Sequence, residues 1–151
     1  MNRILFDVNA LLALLDPMHV HHDAAHQWYA GQSPLQMLLC SHVENGVIRV
    51  ASQPKYPNCL GTSARVRQAL GNLSLQVNAE GCKTEISLLD DRVLPRPDLL
   101  TPSRVTDLYL LGLAVANGAR LATFDQRIPV DAVTEGADAL AIIPVSPPAG
   151  H

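Results

Sequence analysis

This chain has no excess of positive charge, no cysteine framework, few aromatics and no apolar run long enough to span a membrane. Lys and Arg number 11 against 14 Asp and Glu, a formal net charge of −3 at pH 7. That argues against binding nucleic acid by bulk positive charge. An acidic site whose positive charge comes from bound metal ions is not. The three cysteines, Cys40, Cys59 and Cys82, cannot all pair within one chain and show no C-x-x-C spacing. That predicts a reduced, cytoplasmic protein, with Cys40 as a small core residue. No charged start with a long apolar stretch and cleavage site precedes Asp7, so no signal peptide is expected. Tyr29, Tyr56 and Tyr109 are too few and too scattered to make a base-stacking platform.

What is present is an ordinary globular composition over 151 residues, 48% hydrophobic and 17% charged. One domain over 1–146 is expected, with a frayed tail at 147–151. The pattern predicts strands at 4–6, 36–40, 85–89, 120–124 and 141–145, the last an edge strand closed by Pro144 and Pro147. Helices are expected at 10–15, stopped by Asp16-Pro17, and at 19–29, with Trp28 facing the core. Further helices are expected at 41–51, 63–78 and 107–117. Ser41 and Glu44 have capping-box spacing, Thr106 reads as an N-cap, and Gly118 suits a left-handed C-cap. The predicted fold class is α/β, a three-layer sandwich on a mainly parallel sheet of four to five strands.

Four acids stand at strand–helix junctions of this map. Asp7 follows the first strand, and Glu44 lies in the first turn of the helix after the second. Asp107 opens the most apolar helix, and Asp125 follows the fourth predicted strand. In a parallel sheet, strand ends and following helix starts share one edge, so these side chains are expected in one cleft. Two carboxylates ~4 Å apart repel by about 4 kcal/mol at intermediate dielectric. Such a cluster takes up protons or holds cations, and an oxygen-only donor set suits Mg²⁺ or Mn²⁺ rather than zinc. A phosphodiester is the natural substrate of such a site. Singly, Glu44 could only close a capping box, Asp107 only favour the helix dipole, and Asp125 only begin a turn.

The segments 6–14 (FDVNALLAL), 43–46 (VENG), 105–114 (VTDLYLLGLA) and 119–125 (ARLATFD) resemble the PIN domain, and more narrowly the VapC-type toxins of bacterial toxin–antitoxin pairs. The match spans nearly the whole domain and is weakest at 53–100. The resemblance implies a Mg²⁺- or Mn²⁺-dependent endoribonuclease that leaves 3′-hydroxyl and 5′-phosphate ends. It implies Asp7 and Asp107 as the direct metal ligands, with Glu44 and Asp125 completing the shell directly or through water. Asn9 and Thr123 match small polar positions near the site. A homodimer, and an antitoxin that inserts a segment into the acidic cleft, are further implications.

Other features carry weaker readings. His19, His21, His22 and His26 cluster, and three share a helical face, but no acid or cysteine completes a zinc site; a solvated face is the preferred reading. Some of Lys55, Arg65, Arg67, Arg92, Arg96 and Arg104 could line an RNA groove beside the acids, but ordinary surface charge is the preferred reading for most, whereas Arg127 lies close to the cleft by sequence. A dehalogenase-type phosphatase wants a second Asp where Asn9 stands. A receiver domain wants an adjacent acid pair and a late Lys, and no Lys follows Lys83. A catalytically inactive PIN-like module that binds RNA or protein is the remaining alternative.

Overall fold

A computed structural model describes residues 1–145. The frayed tail expected at 147–151, and Pro147 within it, lie outside the described residues. Five strands form one sheet in the order β3-β2-β1-β4-β5, all parallel. They are β1 (Asn2–Phe6), β2 (Leu35–Leu39), β3 (Glu80–Gly81), β4 (Arg120–Thr123) and β5 (Leu140–Ile142). The helices are α1 (Val8–Leu15), α2 (His22–Gly31), α3 (Ser41–Ala51), α4 (Ser63–Gln76) and α5 (Val105–Ala116). Helices α1–α4 pack on one another and α5 packs separately against β1 and β4, which makes the expected α/β sandwich.

The central strand is apolar because it is covered on both faces: Ile4, Leu5 and Phe6 are fully buried. Trp28 and Tyr29 of α2 pack on Phe6, with ring centroids 5.9 and 6.0 Å away. Helix α5 buries Leu108, Leu110, Leu111 and Leu113, which accounts for its almost unbroken apolar sequence. It ends in a Schellman arrangement. Gly118 takes φ +63 and its N–H donates to the Val115 carbonyl at 3.1 Å, while the Ala119 N–H donates to Ala114 at 2.9 Å. That turn feeds the chain straight into β4.

Several expectations need correction. The third strand is not 85–89 but the short β3 at Glu80–Gly81. Beyond it the Asn117 side chain captures the chain. Its Oδ1 accepts from the Lys83 and Thr84 N–H groups (both 3.0 Å) and its Nδ2 donates to the Thr84 carbonyl (2.9 Å). The ladder stops there, and Ile86 packs over Gly112 of α5 instead. The second helix begins at His22, not at 19, and Val20 is 86% exposed rather than on its apolar face. Helix α3 is capped by extended Cys40, not by a Ser41–Glu44 box, which leaves the Glu44 carboxylate without a capping role. Arg104, after a 3₁₀ turn at Pro102–Arg104, is the N-cap of α5 in place of Thr106. The last strand is shorter than 141–145, although the Ile143 N–H still reaches the Thr123 carbonyl at 2.8 Å before Pro144. The three cysteines are free, with Cys40 buried. Among the described residues, no helix is long and apolar enough to cross a membrane.

Helices α1 and α3 cross closely at one point. A Cβ on Gly46 would stand 2.6 Å from Val8 Cγ2, so only glycine fits there without displacement. This contact sets the spacing between the helix that follows Asp7 and the helix that carries Glu44. Gly46→Val is expected to lose about 1–3 kcal/mol, read as a lower urea midpoint. Val8→Ala in the same chain should restore most of that loss. An unchanged midpoint in the single variant would show that the crossing tolerates a side chain.

Candidate active site

Asp7 is delivered to the sheet edge by β1, and its N–H extends the ladder to the Ala122 carbonyl at 3.1 Å. It is also the N-cap of α1: its Oδ1 accepts the Ala10 N–H at 2.8 Å. One carboxylate thus ends the strand, starts the helix and faces the C-terminal edge of the sheet. Burial raises its pKa to about 6. Hydrogen bonds from the Thr123 hydroxyl and the Ala10 N–H oppose that rise, and the charges of Asp107 and Asp125 add to it. Burial is the main cause of the shift, and the neighbouring acids are its smallest contributors.

Asp107 lies in the first turn of α5, and Asp125 follows β4. Thr123 is buried, and its Oγ1 accepts the Asp125 N–H at 3.1 Å, tying the turn after β4 to the Asp7 carboxyl. Asp125 Oδ1 also accepts the Arg127 N–H at 2.8 Å. That bond first, and the Arg104 side chain next, hold the Asp125 pKa below its ordinary value. The Arg127 side chain is exposed beside this turn. Asn9 is exposed in the first turn of α1, on the same edge.

Arg104 is not the ordinary surface charge that its sequence context suggests. One guanidinium nitrogen lies 3.1 Å from Asp107 Oδ2 and 2.5 Å from Asp125 Oδ2, bridging two of the four acids. Its side chain is 21% exposed. A positive group thus stands between the carboxylates, and among the described residues no three acidic, histidine or cysteine side chains are grouped so that they could hold a metal ion. The signal was in the sequence: Arg104 precedes Asp107 by one helical turn, the spacing at which opposite charges meet. Arg92 and Arg96, by contrast, pair with Asp90 and Asp98 at the surface, as ordinary surface charge should.

Glu44 is offset from this group. It sits on the wall of a groove of about 780 Å³ between α3 and α4, together with Asn45, Ile48 and Arg67. It also borders a smaller cavity of about 230 Å³ with Cys82 and Tyr109. Asp7, Asp107 and Asp125 are thus close enough to act on one another, and Glu44 lines the two cavities just described. The histidines are not a solvated helix face either. The His22 Nδ1 hydrogen-bonds with the Ala13 carbonyl at 2.7 Å and the His26 Nε2 with Leu14 at 2.8 Å, satisfying carbonyls of the last turn of α1.

A PIN-domain family model matches residues 4–133. The chain belongs to the PIN-domain family. Within that family it is similar to ribonuclease VapC44 of Mycobacterium tuberculosis, 42% identical over 131 residues, covering 87% of this chain and 92% of that protein. It is also similar to ribonuclease VapC38 of the same organism, 37% identical over 82% of this chain and 86% of the relative. Ribonuclease VapC39 is 31% identical, with 82% and 89% covered. This PIN domain is thus of the VapC type, and the matched span contains all four acids, Thr123 and Arg104. The acids offer hard oxygen donors only. Asp7 is withdrawn from water among like charges, and two of its neighbours already hold a cation. By donor chemistry alone such a set suits a divalent cation of the magnesium or manganese class, and the ion would have to displace Arg104 from Asp107 and Asp125.

Proposed function

We propose that this PIN domain is a Mg²⁺- or Mn²⁺-dependent endoribonuclease that acts as the toxin of a bacterial toxin–antitoxin pair in the cytoplasm. The observation that carries this reading is the state of Asp7: a carboxylate held from water at the sheet edge, with two further acids acting on it. The names of the VapC ribonucleases support RNA as substrate. Asp7 and Asp107 would hold the ion, with Asp125 and Glu44 completing its surroundings directly or through water. A divalent cation held there would supply Lewis-acid chemistry, offsetting charge at the scissile phosphate and making water more acidic. Thr123 fixes the Asp7 carboxyl and the turn that carries Asp125. Asn9 and Arg127 flank the opening, where they can orient water or a phosphate oxygen. Arg104 neutralises Asp107 and Asp125, a charge that a bound divalent ion would also supply. A homodimer, and an antitoxin that occupies the acidic cleft, belong to the same reading.

The test is direct. Chelator-treated protein is incubated with total RNA, with and without Mg²⁺, and new ends are mapped. Internal cuts with 3′-hydroxyl and 5′-phosphate ends, present only with the metal, are the expected result. Cutting that persists in chelator, or no new ends under either condition, would overturn the assignment.

A further inference from the structure

The loop between α1 and α2, residues 16–21, is held rigidly beside the acidic edge. Asp16 is fully buried, and its carboxylate accepts the Tyr56 hydroxyl (2.6 Å), the Asn58 Nδ2 (2.7 Å) and the Met18 N–H (2.9 Å). The loop presents two imidazoles to Phe124, the residue before Asp125. The His19 ring lies nearly parallel to Phe124, with centroids 6.4 Å apart and planes at 19°. The His21 ring is closer, at 4.9 Å and 42°. The His21 N–H donates to His19 Nδ1 at 3.0 Å, which leaves Nε2–H to donate to Asn9 Oδ1, also at 3.0 Å. His19 is therefore a neutral imidazole of fixed tautomer, tied to the helix that Asp7 caps. Met18 and Val20, 75% and 86% exposed, extend the apolar surface of the loop.

We propose that His19, His21 and Phe124 form a stacking subsite for one nucleobase of a single-stranded RNA whose phosphate lies at the Asp7–Asp107–Asp125 group. The inference rests on the nuclease reading above and adds where a base is held. Three observations favour a base over a peptide side chain. The patch is made of three clustered, half-buried rings, and every base can stack on an aromatic ring. It joins the phosphate-handling edge through Asn9 and Phe124, so a base and its own phosphate can be held at once. The loop exposes no carboxylate or primary amine that would select a charged side chain, because its one acid is buried. The platform is built not from the scattered tyrosines but from histidine and phenylalanine brought together by the fold.

His21 is the residue to change, since its ring makes no hydrogen bond among the described residues and its replacement leaves the Asp16 and Asn9 contacts in place. The probe is a short 2′-O-methyl oligoribonucleotide, resistant to cleavage, bound in Mn²⁺ and followed by fluorescence anisotropy. A matching series carries one abasic nucleotide at successive positions. For the wild-type protein, one abasic position is expected to weaken binding about tenfold. His21→Leu should weaken binding of the intact oligonucleotide by a similar factor and erase that positional loss, and His21→Phe should restore both. Stabilisation of the RNA-free protein by Mn²⁺ should be the same in all three proteins. If His21→Leu binds with the wild-type affinity and positional profile, the subsite is overturned while the nuclease reading stands. A variant that loses only binding to a partner protein overturns the subsite in the same way. If the wild-type protein neither binds nor cuts RNA, both readings fail together.

Discussion

Asp7→Asn is expected to cut RNA roughly 10²–10³-fold more slowly than the wild-type protein, or not at all, while folding more stably without metal. The two effects share one cause. The variant keeps an oxygen that can accept the Ala10 N–H, so the cap of α1 survives. It loses the negative charge that burial and the neighbouring acids penalise. The sign follows from the pKa, raised from 3.8 to about 6. Between those values the folded chain binds more protons at Asp7 than the unfolded chain does, so stability falls as pH rises through the window. The full penalty, on the order of 2–3 kcal/mol, is present above about pH 6. Melts in chelator should therefore show no difference between the two proteins below about pH 4 and the largest gain for Asp7→Asn at neutral pH. Wild-type cleavage by the variant, or equal melting at pH 7, would contradict this role for Asp7.

Arg104→Met should bind Mn²⁺ about tenfold more tightly than the wild-type protein, in the absence of RNA. A guanidinium and a divalent ion compete for the same oxygens of Asp107 and Asp125, so removing the resident cation favours the incoming one. The chelator-treated variant should also melt at a lower temperature, and the deficit should close as Mn²⁺ is added. The direction at Asp125 is opposite to that at Asp7. Its pKa is held low, so the associated stability is present above the ordinary carboxylate range and is lost as pH falls. Unchanged or weaker Mn²⁺ binding, measured by titration calorimetry, would mean that Arg104 does not guard these oxygens.

Periodicity and junctions carried most of this architecture. The buried strands, the position of α3 and the Gly118 stop of α5 were all legible, because each rests on local pattern or backbone chemistry. The expected strand at 85–89 failed for a nonlocal reason. Ile86 packs on α5 while Leu89 stays exposed, and just upstream a single side chain, Asn117, takes the Lys83 and Thr84 backbone groups that would have continued the ladder. The start of α2 was misplaced because buried Asp16 organises the residues before it through partners about forty positions away, Tyr56 and Asn58. At the site, three acids could be placed by topology alone. For Arg104 the sequence held half the signal: its spacing to Asp107 allows a local ion pair, but only the fold brings Asp125 to the same guanidinium and so separates it from Arg92 and Arg96 on the surface.

The outermost strands are very short: two residues in β3 and three in β5. An incoming chain that tried to lengthen the sheet would find only a few free backbone groups on either border. Self-association by strand addition is thereby discouraged. Short borders favour contact between copies through helices and loops, which can bury side chains without first unzipping a border. That separates any quaternary contact from the hydrogen-bonded scaffold, so a dimer can form or come apart without disturbing the row of carbonyls and amides from which Asp7 projects.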